Sequence, residues 1–175
     1  MAGLSRIAEI TQVDAFLARP KFLQGPPPEW AQGSRTREMQ MIWNIEDDAG
    51  IVSGNLRLVW PRADGRKPSV SLVWRSDSIW RVDIEDPGVC HSNPHDAYLY
   101  DLPPDVCGSH SHSWPINRDY VLNTPHIWSL PYRCHIPVQV RKLDQAVHWL
   151  ADQINLTLGP DQHIIEMPPQ TDLLG

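Results

Sequence analysis

From Ser5 to Ala18, Ile7, Ile10, Val13 and Leu17 recur at helical spacing and Pro20 ends the run, which predicts a short amphipathic helix. Gly25-Pro-Pro-Pro28 then requires an extended connector. From Glu38 the period shortens to that of a strand. Met39, Met41 and Trp43 alternate with polar Gln40, although Ile42 interrupts a strict two-residue repeat. A turn at Asp47 to Gly50 leads to a second run, Val52 to Trp60, with Leu56, Leu58 and Trp60 on one face. Asp64-Gly65 marks the next turn, Val70, Leu72 and Trp74 alternate again, and Ser76 to Ser78 separates them from Ile79 to Ile84. The middle of the chain therefore reads as a four-stranded antiparallel meander.

The pattern then breaks. Between Asp86 and Pro137 prolines stand at 87, 94, 103, 104, 115, 125, 131 and 137, too many for regular helix and awkward for central strands. Such a structured excursion inside a compact unit is more often functional than idle. Periodicity returns at Val140 to Leu156, where Leu143, Ala146, Val147, Leu150 and Ile154 form one apolar stripe suited to cap a sheet. Asp161 to Gly175 reads as a loose tail. The expectation is one α+β domain over residues 1–175: helix and connector at 1–36, sheet at 37–85, excursion at 86–137, second helix at 138–158, and tail at 159–175.

Composition changes this picture in three places. Seventeen prolines and two phenylalanines argue against a helical bundle, and the eight tryptophans fall mostly at core-facing positions such as Trp60, Trp74 and Trp149, leaving Trp114 and Trp128 as candidates to line a site. A net charge of −6 argues against a surface built broadly for phosphates, although a local groove of arginines stays open, since arginine far outnumbers lysine. Three cysteines, Cys90, Cys107 and Cys134, with no Cys-x-x-Cys pair make a disulfide framework unexpected, and neither a signal peptide nor a membrane span is visible. A cytoplasmic location is the expectation.

Candidate chemistry concentrates in the excursion, which holds His91, His95, His110, His112, His126 and His135. On a strand, His110-Ser-His112 would project both imidazoles to one side. His91, His95 or Asp119 could complete a tetrahedral N/O site for a divalent ion such as zinc; His110, His112, His95 and Asp119 form the candidate ligand set. Without metal, His110 or His112 could act as general acid or base, with Arg81 or Arg118 binding an anion. Strand alternation places Arg81 and Asp83 on one face, where a plain salt bridge would explain them equally well. An Asp nine residues after the first His of a His-x-His pair resembles the JAB-type metalloprotease motif. That motif has a longer gap, a serine and an upstream glutamate, so the family is not assigned.

Taken in order, Ile79-Trp-Arg-Val-Asp-Ile84, His91-Ser-Asn-Pro94, Gly108-Ser-His-Ser-His112, Trp128-Ser-Leu-Pro131 and the helix Leu143 to Ile154-Asn155 resemble small uncharacterised prokaryotic and phage proteins with Arg-x-Asp, His-x-Asn-Pro and His-x-His motifs. They are also similar to toxins of the TumE type, which pair with helix-turn-helix antitoxins. The resemblance covers about residues 37 to 156. It implies a toxin-like or mobile-element conflict protein with hydrolytic or phosphodiester chemistry at a site of His110, His112, His91, Arg81 and Asp83, and a cognate antitoxin as partner. A second resemblance is to bacterial E2-like, ubiquitin-conjugating-like proteins, through the N-terminal helix, the meander, His91-x-Asn93-Pro94, Cys107 and Trp114-Pro115. It implies Cys107 as thioester nucleophile with Asn93 stabilising the oxyanion. A non-catalytic inhibitor or adaptor with an acidic binding surface is the rival from another class. Net charge favours the binder over a nuclease, and the histidine concentration favours an enzyme.

Overall fold

The computed structural model describes residues 2–33, 35, 38–61, 67–124 and 129–168, with side chains from residue 7 onward. Its elements run α1 (Ala2–Ala18), β1 (Lys21–Leu23), β2 (Ala31–Gln32), β3 (Glu38–Glu46), β4 (Val52–Pro61), β5 (Ser69–Trp74), β6 (Asp77–Asp83), β7 (Cys90–Ser92), a 3₁₀ helix (His95–Tyr100), β8 (Asp105–Cys107), β9 (His110–His112), α2 (Trp114–Asn123), β10 (Cys134–His135), α3 (Leu143–Gln153) and β11 (Leu156–Thr157). The fold is α+β.

Strands β3 to β6 form the expected antiparallel meander, in register through Trp43↔Leu56, Leu56↔Leu72 and Leu72↔Trp80. Alternation explains it. Met41, Trp43, Leu56, Leu58, Val70 and Leu72 all point into one core, whereas Ile42, the residue that spoiled the period, points the other way and is 45% exposed. The stripe Leu143, Ala146, Val147, Leu150 and Ile154 of α3 is buried in that same core, with α3 lying over β5. On α1 the buried residues are Ile10, Val13 and Phe16; Ile7, assigned to the stripe from its spacing, is 52% exposed because the helix turns Phe16 inward against Trp74 instead. Trp60 and Trp149 pack at the core's edge as expected.

The sheet is larger than the meander. It has nine strands in the order β10-β9-β6-β5-β4-β3-β1-β11, with β2 paired to β3. Part of the Pro-rich excursion therefore joins the sheet: β9 pairs antiparallel with β6, and β10 with β9. The excursion also contains a helix that its proline count argued against. Pro115 sits at the start of α2, where the first amides have no intrahelical partner and a missing N–H costs nothing. Nor is the tail loose as far as it is described. Gln162 Nε2 donates to the carbonyls of Leu23 (3.0 Å) and Gly25 (2.7 Å), and Ile165 is buried; before the tail, the expected helix at 138–158 spans only Leu143–Gln153, and β11 at its end pairs in parallel with β1.

Cysteine usage is a further correction. β7 and β8 form a separate two-stranded ribbon whose register sets Cys90 opposite Cys107, and the two are joined in a disulfide; Cys134 remains free. The odd count misled because one leftover thiol says nothing about the other two. Among the described residues no helix is long and apolar enough to cross a membrane. The expected Asp64-Gly65 turn, His126 and Trp128 lie outside the described residues.

Candidate metal centre

One face of the meander is core; the other is polar. Registry carries this polar face across strands: Arg57 lies opposite Ser71, Ser71 opposite Arg81, and Arg81 opposite His112. In the next row Ser69 lies opposite Asp83, and Asp83 opposite His110. Directly paired residues share a face, so a two-residue repeat on β9 places both imidazoles beside both members of the Arg81-Asp83 pair. Ser111, between them, points into the core and accepts a hydrogen bond from Trp80 Nε1 (2.8 Å).

The side chains converge on one oxygen. His110 Nε2 and His112 Nε2 each lie 3.5 Å from Asp83 Oδ2. Both rings are oriented from behind: His110 Nδ1–H donates to the Gly108 carbonyl (2.9 Å) and His112 Nδ1–H to that of Leu130 (2.6 Å). A carbonyl can only accept, so the ring proton sits on Nδ1 and the Nε2 lone pair is left facing the carboxylate. Asp83 is held by Arg81, whose Nε donates to Oδ2 (2.9 Å), and Arg81 Nη2 donates to His112 Nε2 (3.0 Å).

Electrostatics favour neutral rings. Burial, then the Arg81 guanidinium, pushes His112 down to about 3, and burial likewise lowers His110. Three acceptor atoms, one from each of Asp83, His110 and His112, thus lie within 4.8 Å of one another. Such a donor set could hold a divalent cation: two neutral imidazoles whose other N–H is tied to backbone, and one carboxylate. Arg81 Nη2 stands where a cation would meet His112 Nε2, so the guanidinium and an ion are alternative partners for that lone pair.

The wider surroundings sort the remaining candidates. His91, on β7, stacks obliquely on His110 with ring centroids 5.1 Å apart, and its Nε2 lies 3.5 Å from Glu85. His95 does not join the group. It opens the 3₁₀ helix, exposed, with its ring edge against Tyr98. Asp119 also lies elsewhere, on the solvent side of α2 beside Arg118. Arg118 is engaged by Asp14 on α1 through three hydrogen bonds of 2.8 to 3.1 Å, and Trp114, kept as a site-lining ring, is buried in the core with its indole N–H also on Asp14 (2.7 Å). Cys107 is bonded to Cys90 and offers no thiol. The Asn93 amide is fully used: Nδ2 donates to the carbonyls of Pro103 and Arg133, and Oδ1 accepts from Arg133 N. It is a staple of the excursion, not an oxyanion donor.

Two residues escaped the sequence reading. Glu85 continues the Arg81, Asp83 alternation by one more step, a signal that was available. Arg133 carried none. It precedes β10, and the pairing Cys134↔Ser111, continued by one residue, sets it opposite His112, on the side away from Arg81. Its charge acts on both histidines and on Asp83. The expected open cleft is narrow: the two imidazoles are 4% exposed, and the group meets solvent through Asp83 at 23% and Arg81 at 45%. Compared with known family models, curated proteins and solved structures, the chain matches none, so the reading of the site rests on its own geometry.

Proposed function

We propose that the protein is a metal-assisted hydrolase, with zinc the ion best suited to two imidazole nitrogens and a carboxylate, and that it acts as a toxin-like conflict protein restrained by a cognate partner. The observation that supports this reading is the convergence of three electron-rich atoms with no proton between them: His110 Nε2, His112 Nε2 and Asp83 Oδ2. Such a cluster is repulsive unless a cation or a donor fills it, and burial disfavours protonating the rings. Among the described residues only Arg81 offers hydrogen-bond donors to it. Zinc held by these three residues would supply an activated water, its pKa brought to about 7.

The chain's own residues account for the rest of the chemistry. Hydrolysis adds water across a bond, so the attacking water must lose a proton and the departing oxygen must gain one. His91 stands beside His110 at the rim, with Glu85 to hold its ring, and is the group placed to carry that proton. Arg81, pivoting between Asp83 and an outside anion, is placed to neutralise charge that builds on the substrate.

The test is growth arrest on expression in a host without the partner, with folding confirmed for every variant. Wild type is expected to arrest growth and, purified without an affinity tag, to take up one equivalent of zinc. His110→Ala should lose both, and Cys107→Ala should keep both. Absence of arrest and of metal uptake in the wild type would leave the inhibitor or adaptor reading in its place.

A further inference from the structure

The polar face of the sheet carries more than the histidine group. Arg57, Ser71, Arg81, His112 and Arg133 occupy one row running across β4, β5, β6, β9 and the residue before β10, the last place reached by continuing the β9–β10 register one residue. Every second position in that row is an arginine. At about 4.8 Å between neighbouring strands, Arg57 to Arg81 and Arg81 to Arg133 each span roughly 10 Å of backbone.

The row is short of counter-charge. Arg57 is exposed and makes no ion pair among the described residues. Among the described residues Arg133 has no carboxylate within ion-pair distance; its Nη1 donates to the Ser92 carbonyl (3.1 Å), and its buried Nε has no partner there. Of the three arginines, only Arg81 is paired among the described residues, to Asp83. Apart from Asp83, neighbours of the row on the polar face of the meander, such as Ser69, Ile42 and Gln40, are uncharged. In a chain of net charge −6, three arginines at alternate places of one row are a local exception.

We infer that Arg57, Arg81 and Arg133 form a track for the phosphate backbone of a single-stranded nucleic acid, laid across the sheet so that one linkage passes over Asp83, His110 and His112. Backbone spacing argues for a linear polyanion, because successive arginines roughly 10 Å apart along a row can each meet a different phosphate of one strand. Access argues for a single strand. The histidine side chains are 4% exposed, with His110 lying against His91 of β7, and a duplex is too thick to bring a phosphate down to them. No Phe, Tyr or Trp lies in the row and the His112 ring is buried, so recognition is by charge, tolerant of sequence and sensitive to salt. This inference rests on the hydrolase reading for its chemistry and extends it to a substrate class, but its binding step can be tested apart from it.

Fluorescence anisotropy of a labelled oligouridylate of about 15 nucleotides, with the full-length protein in chelator, measures binding without metal. Binding should weaken with salt at a logarithmic slope of about −0.7 for each phosphate contacted. Arg57→Gln, remote from the histidines and exposed, should weaken binding about tenfold and reduce that slope by about 0.7, with Arg57→Lys partly restoring it. Arg133→Gln should behave alike, whereas Arg141→Gln, away from the row, should change nothing. Zinc uptake by Arg57→Gln should match wild type. Undetectable binding by the wild type, equal binding by Arg57→Gln and Arg133→Gln, or tighter binding of the corresponding duplex would each overturn the inference. Arginine-dependent binding in a protein that neither takes up zinc nor hydrolyses the oligonucleotide would uphold the track and remove the hydrolase reading.

Discussion

The meander and the excursion that follows it are held by different forces. In β3 to β6 the order comes from apolar alternation: Trp43, Leu56, Leu58, Val70 and Leu72 are fully buried, and each strand's neighbour is also its neighbour in sequence. Between Glu85 and Ile136 apolar positions have no period, and the chain is fixed by polar groups satisfying its backbone. Asn117, fully buried, donates to the carbonyls of Ser113 and Tyr132 and accepts from Tyr132 N; Asn93 does the same for Pro103 and Arg133; the Cys90–Cys107 disulfide closes the β7–β8 ribbon. A segment that must present buried histidines cannot be built of apolar residues alone, and side-chain amides replace the ladder bonds it lacks.

That contrast can be broken experimentally. The largest effect is expected at the amide staple. Asn117→Ala leaves a buried N–H and two carbonyls unpaired and should cost about 3 kcal/mol or more in urea unfolding, as much as Leu72→Ala in the core at about 2–5 kcal/mol. Hydrogen exchange should separate the two, with new exposure confined to the excursion for Asn117→Ala; a loss under 1 kcal/mol would sink the view that polar staples carry this region. Reducing the disulfide, which joins residues 17 apart, should cost about 3 kcal/mol, read as a lower urea midpoint with and without a dithiol. An unchanged midpoint would assign the ribbon's order to its other contacts.

The acid response comes next in size. His112 titrates near 3 in the folded chain against 6.5 when free, so the unfolded chain binds the extra proton between those values. Stability of metal-free protein is therefore fully present above pH 6.5 and falls as the pH drops toward 3, by about 2 kcal/mol by pH 5. His112→Gln should flatten that slope, and a slope equal to wild type would show the ring to be charged in the fold. The smallest effect belongs to Ile42→Thr, on the polar face of the meander, which should change stability by about 0.5 kcal/mol or less. A larger loss would mean that the face is covered.

Much of the site was legible. Two-residue periodicity was enough to place His110 with His112 and Arg81 with Asp83, because β-structure leaves no other choice of face. What local pattern could not supply was the pairing of β9 with β6, a contact between segments separated by the whole 84–109 stretch. For the same reason His95 and Asp119 were plausible ligands by proximity in sequence and are absent from the group in space: one opens a 3₁₀ turn, the other faces solvent on α2. Arg118 was spent on Asp14, a residue on the far-off first helix, and Arg133 became a neighbour of His112 through a two-residue strand too short to leave a signal.

By itself the sequence determined the elements whose stability is local in pattern: the meander, the apolar stripe of α3, and the shared face of each His or Arg-Asp pair. Periodicity is a property of neighbouring residues, and solvent sorts it without reference to the rest of the chain. Tertiary structure alone decided which pairs meet. The ninefold sheet order, the Cys90–Cys107 bond, the docking of residues 156–168 and the row from Arg57 to Arg133 all depend on long-range registry. That registry follows from the whole core closing at once, and no window of the sequence contains it.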